Sequence, residues 1–383
     1  MSKKIFLSPP DMGGEEQLYI KEAFDKNWIA PVGFHIDNFE QEITKYVGSR
    51  YAVAVSSGTA GLHLALLALG VRAGDIVFCP SFTFVASANP ILYQRAIPVL
   101  IDSENETWNM SPNALKIALK QANKGNKLPK AVIVTHIYGQ SAKIGEIKKI
   151  CDSYQVPIIE DACESLGTIY QGRETGTIGE IGVYSFNGNK IITASSGGMI
   201  VTNHKELAEQ IKYLSTQAKA NKNYYHHEAV GYNYRMSNIL AGIGRAQLKT
   251  LPQKIKKRRQ VFQLYQEEFA ENPEVILMPQ DEKGTNSNRW LSVILLKHQN
   301  PNDLVTFLAK HNVESRRVWK PMHRQPILQG HKYVQSGDAS ISDELFNKGV
   351  CLPSGSNLTV EEQAFVIRLV NEFLNNRSEV RKQ

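Results

Sequence analysis

The chain has 383 residues, 42% hydrophobic and 21% charged, which is the balance of a globular protein with a sizeable core and exceeds one ordinary domain. No apolar run approaches the roughly 20 residues that cross a bilayer, and MSKKIFLSPPDMGG lacks the apolar stretch of a secretory signal. The four cysteines are scattered without CxxC spacing, which argues against a disulfide framework or a zinc site. We therefore expect a cytoplasmic protein with no membrane insertion and no bound metal.

The net charge of +7 would suit nucleic acid, a membrane surface or an anionic small molecule. The densest basic run continues into a segment with the apolar spacing of a helix, and it consists of Lys254, Lys256, Lys257, Arg258 and Arg259. Because no aromatic residues are interleaved with it, this run is predicted to be one solvated helix face rather than a nucleic-acid surface.

The first two-thirds of the chain alternate short β-branched runs with longer amphipathic segments. The runs predicted as strands are YAVAVSS, DIVFCPS, IPVLID, AVIVTHIYG and VPIIEDA. The segments predicted as helices are GTAGLHLALLALGV, FVASANPILYQ and IGEIKKICDSY. This alternation predicts parallel strands joined by crossover helices, and the continuously apolar strands indicate a sheet covered on both faces. The fold class is therefore α/β, and ligands are expected beyond the carboxyl ends of its strands.

The pattern changes after Leu251 and Pro252. A long helix leads into segments that predict strand, helix, strand and helix, namely WLSVILLK, DLVTFLAKHN, VESRRVW and VEEQAFVIRLVNEFL. We therefore expect a large α/β domain over residues 15–250 and a small α+β domain over residues 251–383. Residues 1–14 are expected to pack near the cleft of the active site.

Two polar residues stand out beside the predicted sheet. Asp161 ends a buried strand, and Lys190 lies in a Gly- and Ser-rich loop between two apolar runs. Taken singly, Asp161 would more often be a helix N-cap and Lys190 a solvated surface charge. Together they suit pyridoxal phosphate (PLP), which requires a carboxylate that keeps the pyridine nitrogen protonated. It also requires a lysine amine that forms a Schiff base and shuttles a proton.

Longer segments carry a resemblance to a known family, and they are SSGTAGLHLAL, PSFTFVASANPI, EDACESLG, GVYSFNGNK, GGMIVTN and GYNYRMSNILAGIGRAQL. Over essentially its whole length the chain resembles the DegT/DnrJ/EryC family of sugar-nucleotide aminotransferases, PLP-dependent transferases of fold type I (aspartate aminotransferase-like). Four further segments, FLSPPDMGG, NWIAPVG, SNRWLS and VWKPMH, resemble its bacterial enzymes of the bacillosamine route. Those enzymes aminate carbon 4 of a UDP-linked 4-keto-6-deoxy-N-acetylhexosamine.

The resemblance implies a role for individual residues around PLP. Lys190 and Asp161 correspond to the catalytic pair, with Lys190 carrying the cofactor as a Schiff base. Gly58 and Thr59 correspond to residues that hold the PLP phosphate, and the start of a helix suits an anion because its amides are free. Ser185 corresponds to a residue that adds a hydroxyl to the same phosphate.

Three more residues are implied at the cofactor. Phe84 corresponds to the aromatic that stacks on the pyridine ring, although a phenylalanine is more often part of a core. Glu164 corresponds to a residue that contacts the phenolic oxygen, where a carboxylate would meet a like charge. Glu164 is therefore protonated, turned toward backbone donors, or facing the sugar. Asn233 corresponds to an asparagine that reaches the phosphate from the neighbouring subunit, which implies a homodimer with shared active sites.

A strand and turn of the predicted small domain combine positive charge with a flat apolar surface. The segment contains Arg316, Arg317, Trp319, Lys320 and His323. A diphosphate needs cations, and a uracil or sugar ring needs an aromatic surface. We therefore expect Arg316, Trp319, Lys320 and His323 to bind the substrate. The alternative is a solvated strand edge with a core tryptophan.

The reaction implied is a transamination with L-glutamate as the amino donor. Four alternatives stay open at this point: the carbon-4 aminotransferase of the pseudaminic acid route, another nucleotide-sugar aminotransferase, a non-catalytic regulatory protein of the same fold, and a PLP-dependent sugar dehydratase. In the dehydratase branch a histidine replaces the internal lysine, so Lys190 argues against it.

Overall fold

The structure is a computed structural model that describes residues 4–380, with side chains for residues 4–375. Its helices are α1 (Glu16–Asp25), α2 (Phe34–Val47), α3 (Gly58–Ala68), α4 (Asn89–Tyr93), α5 (Pro112–Lys124), α6 (Ile144–Ser153), α7 (Lys205–Ser215), α8 (Asn238–Phe269), α9 (Pro301–Lys310), α10 (Ile341–Lys348) and α11 (Val360–Val380). Its strands are β1 (Tyr51–Val55), β2 (Ile76–Pro80), β3 (Ile97–Ile101), β4 (Ala131–Thr135), β5 (Ile158–Asp161), β6 (Ile169–Tyr170), β7 (Arg173–Glu174), β8 (Ile181–Ser185), β9 (Gly198–Thr202), β10 (Val275–Leu277), β11 (Thr285–Asn286), β12 (Ser292–Leu296), β13 (Arg316–Arg317), β14 (Tyr333–Val334) and β15 (Gly349–Leu352).

The main sheet has eight strands in the order β1-β9-β8-β5-β4-β2-β3-β14. Parallel pairs join β2 to β3 and β4, β4 to β5, and β5 to β8. The predicted α/β fold with crossover helices is therefore confirmed. Strand β9 departs from the parallel pattern, since it pairs antiparallel with both β1 and β8. Between β8 and β9 the chain forms no helix, so it returns antiparallel.

The segment after β2 also differs from its prediction. FVASANPILYQ was predicted as one helix, but the structure forms a single 3₁₀ turn over Val85–Ser87 and then the short helix α4. The side chain of Ser87 is directed into the protein, where it donates a hydrogen bond to Asp161. Pro90 stands in the first turn of α4, where a missing amide costs nothing.

A second sheet of four strands, in the order β10-β12-β15-β13, belongs to the C-terminal part of the chain. An apolar cluster that includes Phe269, Ile294 and Val370 packs this sheet against α8 and α11. Two features of the structure cross the proposed domain boundary between residues 250 and 251. Helix α8 runs through it without interruption, and β14 leaves the C-terminal part to pair in parallel with β3 of the main sheet. The domain limits therefore remain a proposal.

The basic run at the middle of α8 is not one solvated face, and this prediction was wrong. Lys254 and Arg258 are buried, because residues 8–11 lie across that side of the helix. The Lys254 ammonium donates to the backbone carbonyl of Asp11 and to the side chain of Gln247. A single turn of α8 therefore fixes the N-terminal segment by charged hydrogen bonds, which are stronger than neutral ones.

Two features are absent from the part of the chain that the structure describes, residues 4–380. No helix there combines the length and the apolar content needed to span a membrane. No group of three or more His, Cys, Asp or Glu side chains there is arranged to hold a metal ion.

Glu160, next to Asp161 in β5, organises the loop that leads to β8. Its fully buried carboxylate accepts hydrogen bonds from the amides of Gly176 at 2.8 Å, Ile178 at 2.6 Å and Gly179 at 2.6 Å. His136 donates a fourth hydrogen bond through Nε2 at 2.9 Å. Burial alone raises the pKa of Glu160, but His136 and the backbone amides outweigh burial, so the net pKa is lowered. The carboxylate is thus kept ionised inside the protein.

We predict that Glu160→Ala lowers the free energy of unfolding by about 3–5 kcal/mol, because it leaves buried donors without an acceptor. The measurement is urea unfolding at neutral pH. A group with a lowered folded-state pKa stabilises the protein above the ordinary glutamate pKa and loses this effect as the pH falls. The difference in unfolding free energy between Glu160→Ala and the wild type should therefore become smaller at acid pH. The exposed Glu209→Ala is the control, with a change below about 0.5 kcal/mol; a similarly small effect at Glu160 would contradict the prediction.

Candidate active site

A cavity of about 430 Å³ opens at the carboxyl end of the parallel strands. The loops that follow β1, β2, β5 and β8 reach it, together with the end of β4 and with Trp290, Arg316 and Trp319 of the C-terminal part of the chain. Its lining includes Ser57, Gly58, Thr59, Thr83, Phe84, Ala86, Thr135, Asp161, Cys163, Glu164, Ser185, Asn187, Asn189, Lys190, Ser196, Gly197, Trp290, Arg316 and Trp319. This position is the one at which an α/β sheet binds ligands.

One wall of the cavity is the N-terminus of α3. Ser57 caps this helix by accepting a hydrogen bond from the amide of Ala60 at 3.0 Å. The first amides of a helix have no acceptor within it, and the helix dipole is positive there. A Cβ at Gly58 would lie 2.6 Å from Cys163 Sγ and 3.1 Å from Ser185 Cβ, so only glycine allows this close approach. Gly58, Thr59 and Ser185 thus form a corner that would suit an anion.

The Asp161 carboxylate lies at the end of β5 and is 5% exposed. Ser87 donates a hydrogen bond to its Oδ2 at 2.6 Å, and the amide of Cys163 donates to its Oδ1 at 3.3 Å. The hydroxyls of Thr83 and Thr135 hold Ser87 in turn, at 2.7 and 3.3 Å. The carboxylate is therefore held rigidly by polar contacts on the sheet side.

Lys190 lies in the loop between β8 and β9, and its side chain is 12% exposed. Its Nζ is 3.7 Å from Glu164 Oε1 and 4.1 Å from the centroid of the Trp290 ring. Glu164 also accepts a hydrogen bond from the amide of Tyr138 at 2.7 Å. Burial raises the pKa of Glu164, although Lys190 and the Tyr138 amide act in the opposite direction. Glu164 is thus turned toward both a backbone donor and Lys190.

Aromatic side chains form the wall opposite the sheet. The rings of Phe84 and Trp319 are tilted against each other with centroids 5.1 Å apart. Trp319 also stacks on Tyr138, at 6.3 Å, and its amide donates to the Tyr138 hydroxyl at 3.0 Å. Burial raises the pKa of Tyr138 well above its ordinary value, so the hydroxyl keeps its proton. The neutral Tyr138 therefore connects Glu164 to the aromatic wall.

Several predicted site residues come together in this cavity, and others do not. The cavity lining includes Lys190, Asp161, Gly58, Thr59, Phe84, Glu164, Ser185, Arg316 and Trp319. Lys320 is exposed and lies outside the lining, as does His323. Both ring nitrogens of His323 have protein partners, Ser81 at 2.7 Å and Asp343 at 3.2 Å. Asn233 is exposed on the surface and does not reach the cavity of its own chain.

The structure adds residues that the sequence did not indicate. Ser87 was expected to lie within a helix, and no motif connected it to Asp161. Trp290 comes from a segment far from Lys190 along the chain, so only the tertiary fold brings them together. Asn189 precedes Lys190 directly, and this adjacency was the one signal that could have identified it.

The sequence of the chain is similar to those of known aminotransferases. The model of the DegT/DnrJ/EryC1/StrS aminotransferase family matches residues 10–371. The chain belongs to this family. The protein EpsN of Bacillus subtilis (strain 168), whose name describes a pyridoxal phosphate-dependent aminotransferase, is 51% identical over 372 residues, covering 97% of this chain and 96% of EpsN. The GDP-perosamine synthase of Escherichia coli O157:H7 is 35% identical over 376 residues, covering 98% of this chain and all of the relative.

A solved aminotransferase structure has the same fold. The aminotransferase TlmJ from Streptoalloteichus hindustanus superposes with a TM-score of 0.89 at 27% identity, covering 98% of this chain and 100% of TlmJ. Like other members of the DegT/DnrJ/EryC1/StrS family, the chain is a PLP-dependent sugar aminotransferase of fold type I. The predicted enzyme class, fold and cofactor are thereby confirmed.

The residues of the cavity fit PLP. The corner at α3 suits its phosphate, and the buried Asp161 suits a pyridine nitrogen that carries a proton. Among the described residues, two buried polar atoms of the lining have no protein partner, namely Asn189 Oδ1 and Trp319 Nε1. Buried polar groups are normally satisfied. These two atoms therefore indicate a polar ligand in this cavity.

We predict that Asp161→Asn lowers kcat on the order of 100-fold, the range found for acid–base groups, while the enzyme still binds PLP. Binding should persist because the corner at α3 does not involve the ring nitrogen. The measurements are steady-state kinetics and cofactor content after gel filtration. Asp152→Asn, an exposed variant on α6, is the control. An unchanged kcat would show that another group holds the ring nitrogen.

Proposed function

We propose that this enzyme transfers the amino group of L-glutamate to carbon 4 of a UDP-linked 4-keto-6-deoxy-N-acetylhexosamine, as on a bacillosamine-type route of glycan biosynthesis. The main support for the proposal is that two groups of residues line one cavity. The first group is Lys190, Asp161 and the start of α3, and the second is Arg316 and Trp319. The first group suits PLP. An arginine beside an indole suits an anionic substrate that contains a ring.

Four residues are proposed to hold PLP, which when bound supplies an aldehyde that condenses with amines and a ring that withdraws electrons. The amides of Gly58 and Thr59 and the hydroxyl of Ser185 would bind the phosphate. Phe84, which is 46% exposed and lines the cavity, is free to cover one face of a ring. On this proposal the four residues contribute affinity and orientation, and none of them moves a proton.

Two residues are proposed to manage protons. The Lys190 amine removes a proton from the α-carbon of the donor and delivers a proton to carbon 4 of the sugar. The Asp161 carboxylate keeps the proton on the ring nitrogen, because an opposite charge in a buried site favours the protonated form. Glu164 is proposed to carry a proton of its own beside the phenolic oxygen, since burial raises its pKa and a second anion there would be repelled.

The sugar side of the cavity is proposed to be formed by Arg316 and Trp319. Arg316 is largely exposed, and its Nη2 is 2.8 Å from Glu314 Oε1. Its other guanidinium nitrogens are therefore available to an anion. The indole Nε1 of Trp319 has no protein partner among the described residues and suits a hydroxyl or an amide oxygen. The proposed substrate roles of Lys320 and His323 have no comparable contact to support them.

A second candidate substrate is a GDP-linked keto sugar. It is favoured by the 35% identity with the GDP-perosamine synthase of E. coli O157:H7 over the whole length of that relative. The epimeric UDP-sugar of the pseudaminic acid route is a third candidate. A mismatch at one ring centre changes the transition-state energy by only about 1–3 kcal/mol, so cross-reaction between epimers is expected. A non-catalytic regulatory role would leave Lys190 without a purpose.

The enzyme is further proposed to act as a homodimer with shared active sites. Asn233 is exposed and lies outside the cavity of its own chain. It lies beside Tyr234, whose carbonyl accepts a hydrogen bond from Ser56 at 2.8 Å, close to the start of α3. In a homodimer, Asn233 of the partner subunit would complete the phosphate corner.

We predict that Lys190→Ala abolishes turnover, because no other amine among the described residues lines the cavity. The far-UV circular dichroism should match that of the wild type, since among the described residues the Lys190 amine contacts only the Glu164 carboxyl group and the Trp290 ring. The exposed Lys205→Ala is the matched control and should keep full activity. Turnover at the wild-type rate in Lys190→Ala would remove the residue from its proposed role.

We predict that the best substrate is the UDP-linked 4-keto sugar named above, with the new amine on carbon 4. Product NMR and kcat/KM should be measured for this sugar, for its carbon-5 epimer and for a GDP-linked 4-keto-6-deoxyhexose, each with L-glutamate. An amine on carbon 3, or a higher kcat/KM with either rival, would overturn the substrate and leave the enzyme class intact.

A further inference from the structure

The backbone carbonyl of Asn189, which directly precedes Lys190, is held by two side chains from distant parts of the chain. Trp290 Nε1 donates a hydrogen bond to it at 2.7 Å, and Ser8 Oγ donates another at 2.9 Å. Trp290 is 1% exposed and Ser8 is 8% exposed. Both lone pairs of this carbonyl are thus occupied in a buried setting, where such bonds are strongest.

Arg258 joins these two donors to each other. Its Nη2 donates to Ser8 Oγ at 3.0 Å, and its Nη1 donates to the carbonyl of Trp290 and, at 3.0 Å, to that of Ser354. Arg258, Ser8, Asn189 and Trp290 therefore form a closed ring of hydrogen bonds. Burial lowers the pKa of Arg258 to about 10, so the guanidinium is still charged at neutral pH. A charged donor strengthens both hydrogen bonds of the ring that it makes.

Trp290 contacts Lys190 in a second way. The Lys190 Nζ lies over the indole ring, 4.1 Å from its centroid, in the geometry of a cation–π contact. The same tryptophan therefore restrains the lysine at its backbone, through the preceding carbonyl, and at its amine. The loop of Lys190 contains Gly188 and Gly197, so these contacts supply an order that the loop sequence itself lacks.

We propose that Ser8, Trp290 and Arg258 are positioning residues that set the place and direction of the Lys190 amine. This inference rests on the proposed role of Lys190 as the cofactor-binding lysine. The amine has to reach one carbon of PLP in a defined direction, and a misplacement of about 1 Å costs on the order of 100-fold in such reactions. None of the three residues needs to touch the substrate, because they act through the backbone of Asn189 and the side chain of Lys190.

The test uses enzyme freed of cofactor by dialysis, with the variants Ser8→Ala and Trp290→Phe. PLP is added, and its covalent attachment is followed by absorbance in a stopped-flow instrument. We expect each variant to slow the first-order attachment step about tenfold, the effect of losing one buried hydrogen bond. The affinity for pyridoxamine phosphate, which binds in the same cavity but cannot attach to lysine, should stay within about twofold of the wild type.

Ser356→Ala is the matched control. Its hydroxyl donates to Asp11 Oδ2 at 2.6 Å, so it fixes the same N-terminal segment without contacting Asn189. We expect attachment at the wild-type rate in this variant. An unchanged rate in either Ser8→Ala or Trp290→Phe would overturn the inference. The inference would also be overturned if the affinity for pyridoxamine phosphate fell by the same factor as the rate of PLP attachment. That result would indicate that the whole cavity had lost its structure. Normal PLP attachment in Lys190→Ala would instead contradict the proposed function.

Discussion

Parallel pairing of β2, β4, β5 and β8 is the constraint on which the rest of the molecule depends. Because these strands run in one direction, the loops that leave their carboxyl ends meet at one edge of the sheet. Asp161, Thr135 and Ser185 reach the cavity as the last residues of their strands, with little freedom to move. The residues at the strand ends are thus held in place by the sheet, whereas Phe84 and Lys190 lie in loops that can adapt.

Much of this architecture could be predicted from hydrophobic patterning. Continuous apolar runs separated by amphipathic segments identify buried parallel strands with crossover helices, and β1 to β5 lie where those runs are. Patterning could not show that β9 is antiparallel, because a buried strand is apolar in either direction. It also could not show that Lys254 and Arg258 are buried. A basic run on a helix has the same appearance whether water or another segment of the chain covers it.

The residues of the site also fall into those that the sequence could predict and those that it could not. Residues within the family's motifs, such as Lys190, Asp161 and Gly58, could be identified because each motif is short and continuous. The supporting role of Ser8 and Trp290 could not be identified, although both lie in segments that carry the resemblance, since they meet Asn189 only after the chain has folded. His323 shows the reverse case. The basic and aromatic composition of its segment suggested a binding role. In the structure, however, both ring nitrogens of His323 contact protein partners.

Helix α8 has a mechanical consequence. It is 32 residues long, about 48 Å at the usual rise, and it packs against α1 and α2 at one end and against the second sheet at the other. The pairing of β14 with β3 joins the C-terminal part of the chain to the main sheet at a further point. The two sheets cannot rotate away from each other without breaking these contacts. Access to the cavity is therefore controlled by the loops at its mouth, which include those of Phe84 and Lys190.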